Sequence, residues 1–266
     1  MYIMVQEALA RRFRPAGFEQ PEGSRQNYTK PSPELQEAFY RWIDELLSYE
    51  DFVLTEQEKR AQELLRPLEE IPYREANALL TGFKPKIRSE RKAGLFISAC
   101  YTHSPEDAIV FDLDAPEIDF IGYGFGKNRV LINKGKTGDW FAQQSSGTII
   151  NNGAVWHSSW QSSSGIFINN GLTGWGFGSG SLGYSNSGIL IDLKNTKALC
   201  LPNYTTYKEC DRIPEIKEYL EELGEITKSI KDEESAKKFL ERYGKKPEET
   251  IRCDIDYILK RGGYKN

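Results

Sequence analysis

The stretch Ser146–Gly171, SGTIINNGAVWHSSWQSSSGIFINNG, contains nearly the same eight residues twice, SGTIINNG at 146–153 and SGIFINNG at 164–171. Aligned on the asparagine, the frame extends in both directions. Leu131-Ile132-Asn133, Ile149-Ile150-Asn151, Phe167-Ile168-Asn169 and Leu190-Ile191-Asp192 follow one another, and Val110-Phe111-Asp112 fits upstream. Five registers with a period near 20 residues are the mark of a solenoid. Each register offers only three or four β-branched or aromatic residues, too few to stand as an isolated strand. Stacked in parallel at about 4.8 Å, such strands find backbone partners in the coils above and below. On this reading Ile132, Ile150, Ile168 and Ile191 form the inward apolar column. Asn133, Asn151 and Asn169 form a side-chain amide ladder that satisfies corner backbone groups. Carboxylates appear at the outer registers, Asp112 and Asp192, where only one neighbouring coil exists, and Gly135, Gly153 and Gly171 supply a tight or left-handed turn.

Charge supports the same architecture. Between Trp140 and Ile191 there is no Asp, Glu, Lys or Arg, although charged residues make up 28% of the chain. A charge kept in register would meet its own sign about 5 Å away on each neighbouring coil. Neutral Ser, Asn, Gln and Gly avoid that repulsion. The left-handed hexapeptide helix, whose coils also run to about 18 residues, requires an aliphatic residue at every sixth position. From Ile150 those positions read Trp156, Ser162, Ile168 and Gly174, which excludes it.

Gly135-Lys-Thr-Gly138-Asp139-Trp140, followed by Ser146-Gly147-Thr-Ile-Ile-Asn-Asn-Gly153, resembles the G-x-x-G-D/N…G-G-x-I-I-x-x-G repeat of the β-helical domain that ends the large chain of glutamate synthase. A similar domain occurs in formylmethanofuran dehydrogenase. The resemblance spans about Ala108 to Lys194 and implies a right-handed parallel β-helix of structural and assembly character, with no catalytic residues carried over. The chain departs from the family's pattern in its Ser- and Trp-rich coils and in Trp156, which stands where the second coil would need a counterpart of Gly138.

Both flanks read as helical. Ser32-Pro33 opens a helix whose apolar stripe is Leu35, Phe39, Trp42, Ile43, Leu46 and Leu47. Thr55-Glu-Gln-Glu58 reads as a capping box before Ala61, Leu64 and Leu65, ending near Pro67. A short helix follows from Pro72 to Leu80 and stops at Gly82. After the repeats come stripes at Ile216, Tyr219, Leu220, Leu223 and Ile226, then at Ala236, Phe239, Leu240 and Tyr243, and from Pro247 at Ile251, Ile255, Ile258 and Leu259. Residues 15–33 read as a linker or arm. The expected organisation is thus an N-terminal arm and helical segment over 1–88, a β-solenoid of about five coils over 89–199, and a C-terminal helical segment over 200–266. The fold class is mainly β with flanking α.

A net charge of −4 gives no electrostatic case for nucleic acid. The apolar start Tyr2–Val5 is too short for a secretory leader, and no run approaches a membrane span. The chain reads as cytoplasmic, with no membrane partner. Cys100, Cys200, Cys210 and Cys253 show no C-x-x-C spacing and only two histidines accompany them, so no metal and no cofactor are expected. The weak catalytic candidates are His157 with Asp139. Cys100 and His103 suggest a Cys/His pair, but a strand running into a turn at Ser104-Pro105 explains them equally well. Asp112, Asp114, Glu117 and Asp119 form an acidic cluster near the first coil. Trp140, Trp156, Trp160 and Trp175, with Phe141 and Phe177, are the aromatic residues a saccharide would stack on, or else core. The leading expectation is a non-enzymatic scaffold with a protein partner or a homo-oligomeric state. The competing one is a carbohydrate-binding protein or glycan-active enzyme using the Trp-rich side.

Overall fold

The registers pair coil on coil. In the computed structural model, which describes residues 29–45, 54–68, 70–85, 89–157, 160, 162–174, 188–193, 199–200, 213–244 and 246–262, the four-residue strands form one sheet. These are β1 (Ala108–Phe111), β3 (Val130–Asn133), β5 (Thr148–Asn151), β7 (Ile166–Asn169) and β9 (Ile189–Asp192), all parallel, with the short β10 (Leu199–Cys200) antiparallel at the far edge. A second parallel sheet holds the two-residue strands β2 (Asp114–Ala115), β4 (Lys136–Thr137), β6 (Ala154–Val155) and β8 (Leu172–Thr173). Together they wind a β-solenoid of about four turns, five rungs on one side and four on the other.

Register follows the sequence frame over four of the five rungs: Ile132 lies on Ile150, Ile150 on Ile168 and Ile168 on Ile191. The first rung differs. Phe111, not Asp112, lies opposite Asn133. The frame Val110-Phe111-Asp112 matches an acid to an asparagine, but the first strand places the fully buried Phe111 at that position and leaves Asp112 one residue beyond. Asp112 therefore stands outside the asparagine register.

The long strands are buried on both faces, which is why they read as unbroken apolar runs rather than as an alternation. The Phe167 ring meets Phe141 and Trp160 from across the coil, so Leu131, Ile149, Phe167 and Leu190 fill the interior. The isoleucine column faces the other way, beneath the C-terminal helices α5 (Pro214–Lys228), α6 (Glu233–Tyr243) and α7 (Pro247–Arg261). Thr148, from the same outward set, donates to Glu248 of α7 at 3.4 Å, and Asn152 and Asn170 both donate to Thr227 of α5 at 2.9 Å. The C-terminal helices cover a face.

The N-terminal helices cap an end. They are α1 (Pro33–Asp44), α2 (Leu54–Leu65), α3 (Tyr73–Leu79) and α4 (Ser89–His103). Helix α4 lies inside the segment read from sequence as solenoid, and it is buried around most of its circumference. An all-round buried helix lacks the amphipathic stripe that marks one in a sequence. A solenoid's first coil exposes backbone groups that no earlier coil can pair. Here Asn77 of α3, completely buried, donates to the Val110 carbonyl at 2.8 Å and accepts the Tyr101 hydroxyl at 2.6 Å. Ser98 of α4 donates to the Phe120 carbonyl at 2.8 Å and accepts the Tyr123 amide at 3.1 Å. Arg129 ties the end of α4 to the coil by donating to the carbonyls of Tyr101, Ser104 and Glu106. Within this cap, Lys92 is buried over the Trp42 ring and donates to the Glu45 carbonyl at 2.7 Å, closing the C-terminus of α1. Burial lowers its pKa to about 8.

Ser32 caps α1 as its sequence predicts, accepting from the Leu35 amide. Leu46 and Leu47, expected to extend its stripe, lie outside the described residues, as do residues 1–28 of the arm. Thr55 does not cap α2, because Leu54 is already helical, and Glu58 instead lies against Gly124 of the first coil.

The glycine columns do a different job from the one expected. Gly135, Gly153 and Gly171 are absent from the positive-φ set. A Cβ on Gly153 would sit 2.0 Å from the Gly135 carbonyl oxygen, and one on Gly171 would sit 2.0 Å from that of Gly153. They permit coils to close on one another. Besides Asn128, the left-handed non-glycine residues on the third side of the coil are Phe120, Trp140, Ala142, Gln144, Trp160 and Ser162, each with φ between 54° and 62°. Nothing in the sequence marks these residues, since left-handed backbone disfavours most of them.

The asparagine ladder is continuous. Asn133 Nδ2 donates to Asn151 Oδ1 at 2.8 Å, Asn151 Nδ2 to Asn169 Oδ1 at 2.8 Å, and Asn169 Nδ2 to Asp192 Oδ1 at 2.9 Å. Asn151 also accepts the Gly153 amide and donates to the Leu172 carbonyl, so all four of its hydrogen-bonding positions are used. A terminal rung only has to accept, which a carboxylate does; Asp192 fits that end.

Two consequences are measurable by chemical denaturation. Replacing Asn77 with Ala leaves the Val110 carbonyl and Tyr101 hydroxyl buried without partners and is expected to cost about 2–4 kcal/mol. Asn151→Asp would face one acceptor with another and is expected to cost about 3 kcal/mol or more, whereas Asp192→Asn should stay within about 1 kcal/mol. Equal costs for Asn151→Asp and Asp192→Asn would contradict the directional ladder.

Candidate functional site

The corner after the short strands gathers the candidate residues. The β4–β6 register continues so that Trp156 follows Gly138, its amide donating to the Gly138 carbonyl at 3.4 Å. One residue further, Asp119, Asp139 and His157 occupy successive coils. The Asp139 amide donates to Asp119 Oδ1 at 2.8 Å, and the His157 amide donates to Asp139 Oδ1 at 3.0 Å. Each carboxylate thus clasps the backbone of the next coil. His157 and Asp139 are brought together, through the histidine's main chain. Gly138 has to lack a side chain, because a Cβ there would sit 2.4 Å from Asp119 Oδ1 and 2.7 Å from the Ile118 carbonyl oxygen.

In the sequence Asp119 reads as one of four acids in a cluster, and the structure separates them. Asp114 pairs with Lys136 at 3.0 Å on the outside of the short-strand sheet. Glu117 is exposed. Both carboxylate oxygens of Asp112 are buried without hydrogen-bond partners, and burial raises its pKa to about 6. Asp119 has Arg91 Nε of α4 at 3.7 Å, and burial together with the Asp139 charge raises its pKa to about 7. Arg91 is not among the sequence candidates; its guanidinium also lies over the Trp140 ring at 5.0 Å.

The tryptophans do not form one row. Trp140 is half-buried and stacked on Phe120 at 5.0 Å with an interplanar angle of 11°. Trp156 is half-buried in a different column, its ring 5.8 Å from that of His157. Trp160 is 1% exposed and packs on Phe167 inside the coil. Trp175 and Phe177 lie outside the described residues. The even spacing of aromatics in the sequence hides this, because inside and outside positions on the left-handed third side do not alternate as in a strand.

Cys100 and His103 lie on helix α4, not on a strand entering a turn. Cys100 is wholly buried, and burial pushes its thiol well above the usual range, which disfavours the thiolate. Burial also lowers the His103 pKa. Among the described residues, no group of three His, Cys, Asp or Glu is placed to hold a metal ion, and no helix is long and apolar enough to cross a membrane. A cleft of about 620 Å³ among the N-terminal helices, between Ser32, Glu34, Glu70 and Glu75, is remote in the fold from this corner.

No family model matches the chain, and neither a curated protein nor a solved structure does.

The division between core and half-buried tryptophan has a measurable consequence. Trp160→Ala should cost about 3–5 kcal/mol as a core truncation, and Trp156→Ala much less. Equal costs in denaturant titrations would contradict the placement of Trp160 inside the coil.

Proposed function

We propose that the chain is a non-enzymatic β-solenoid scaffold that associates with a second copy of itself across the outer face of the short-strand sheet. The observation carrying this reading is where the charge-free stretch falls. Ala154 and Leu172 form the outward column of β6 and β8, half-buried, with Trp156 beside them, while the long-strand sheet lies under helices. At the other end of the column, Asp114 and Lys136 neutralise each other.

Each copy carries a net charge of −4, so two copies repel unless they meet where neither is charged. Interface cores are depleted in Lys, Glu and Asp and enriched in aromatics, and the Ala154, Leu172 and Trp156 end of this face has that composition. The Asp139 carboxylate, which an enzyme would aim at an imidazole, accepts the His157 backbone amide and so holds one coil to the next. The free, buried thiol of Cys100 suits a reducing cytoplasmic setting.

The competing saccharide reading draws on the half-exposure of Trp140 and Trp156. It loses force because the two stand in different columns and Trp140 is already stacked on Phe120.

Sedimentation equilibrium separates these readings. The expected result is a concentration-dependent dimer that Leu172→Glu and Trp156→Glu convert to a monomer that still unfolds cooperatively. A wild-type protein that stays monomeric throughout would overturn the proposal. Binding to immobilised glycans that Trp140→Ala or Trp156→Ala abolishes would establish the saccharide reading in its place.

A further inference from the structure

We infer that the two copies meet with their solenoid axes antiparallel, about a two-fold axis lying between the β6 and β8 rungs, so that Leu172 of each copy packs on Ala154 of the other. This rests on self-association across the short-strand face and names the rungs of that face that meet.

Register fixes the order of the outward column. Asp114 pairs with Lys136, Lys136 with Ala154, and Ala154 with Leu172. The strand neighbours Ala115, Thr137 and Val155 are buried, which leaves Asp114 exposed and Lys136 and Ala154 half-buried on the outer side, with Leu172 half-buried in the same column. The column therefore has a polarity. Its first two rungs are charged, with Asp114 and Lys136 bridged at 3.0 Å. Its next two rungs are apolar, one side chain small and the other large.

A two-fold contact closes at two copies, and it can oppose these columns in two ways. With parallel axes each rung meets its own counterpart. Lys136 then approaches Lys136 and Asp114 approaches Asp114, and the bridged pair is withdrawn from water. Leucine also meets leucine, while the two alanines face each other across the space that the leucines hold open. With antiparallel axes every Leu172 meets an Ala154, large against small, which lets the two faces close to the packing density of an interface core. At ~4.8 Å per rung, Lys136 and Asp114 then lie about 7 and 12 Å from the two-fold axis, toward a rim where an exposed ion pair costs little. Both the charge and the size of the side chains thus favour the antiparallel contact.

The test is a charge swap between chains, read by sedimentation equilibrium on the full-length protein. Ala154→Lys and Leu172→Glu, each alone, place an unpaired charge at two symmetry-related points of the contact and should weaken the homodimer about 100-fold or more. Mixed one to one, the two variants should form a heterodimer within about tenfold of the wild-type affinity, because the introduced ammonium of one chain faces the introduced carboxylate of the other. The reciprocal pair, Ala154→Glu with Leu172→Lys, should behave alike, and each variant should keep the cooperative unfolding of the wild type. Removing both outer charges, by Asp114→Ala with Lys136→Ala, should leave the homodimer within about threefold of wild type, since a rim pair contributes little. A wild-type dimer whose variant mixtures associate no better than their components would overturn the antiparallel contact and leave self-association standing. Tightening of the dimer by about tenfold or more on removal of Asp114 and Lys136 would do the same, since it would mean that the contact buries them. Wild-type protein that stays monomeric would remove self-association, and this contact with it.

Discussion

Coil-to-coil hydrogen bonding is the constraint from which the rest of the structure follows. A strand of four residues or two cannot hold itself, so each coil depends on its neighbours for backbone partners. Pairing in register then dictates which side chains can repeat. An amide serves inside the coil because it donates and accepts along the stack at once, and Asn151 uses both capacities fully. Glycine serves where the carbonyl of the preceding coil occupies the space of a Cβ. The neutrality of the central coils reflects the same condition, since whatever stands at a column position is answered by its equivalent one coil away.

A stack of this kind has ends, and the flanking helices are explained by them. At the start of the solenoid Asn77 and Ser98 act as surrogate neighbours, offering side-chain groups where a preceding coil would have offered backbone. At the other end β10 turns antiparallel onto β9. The C-terminal helices meet a second need, covering an outward isoleucine column that would otherwise face water. Arg74 of α3 pairs with Glu233 of α6 at 3.0 Å, so the two helical segments meet beside the first coil.

The features legible in the sequence are those that recur. Ile-Asn strands, the amide ladder and the glycine columns repeat at the coil period, so alignment alone locates them. What occurs only once is hidden from it. Helix α4 has apolar or small residues all round because it is packed all round, and so presents no stripe. The first rung escapes because its strand ends in Phe111 where later rungs have asparagine, and the neighbouring Asp112 imitates the pattern one residue late. The placement of the tryptophans depends on left-handed backbone at Trp140 and Trp160, which residue type argues against. Of the candidate site, the proximity of Asp139 and His157 is readable from the repeat. The contribution of Arg91 is not, because it comes from the helix that the sequence conceals.

The most direct measurement of the central claim is hydrogen exchange at the side-chain amides of Asn133, Asn151 and Asn169, followed by NMR beside the backbone amides of the strands that carry them. If stacked coils share these amides, all three, each donating through Nδ2 to the next rung, exchange as slowly as the surrounding strand. Side-chain amides that exchange at the rate of free asparagine while the strands remain protected would contradict a solenoid held in register by its ladder.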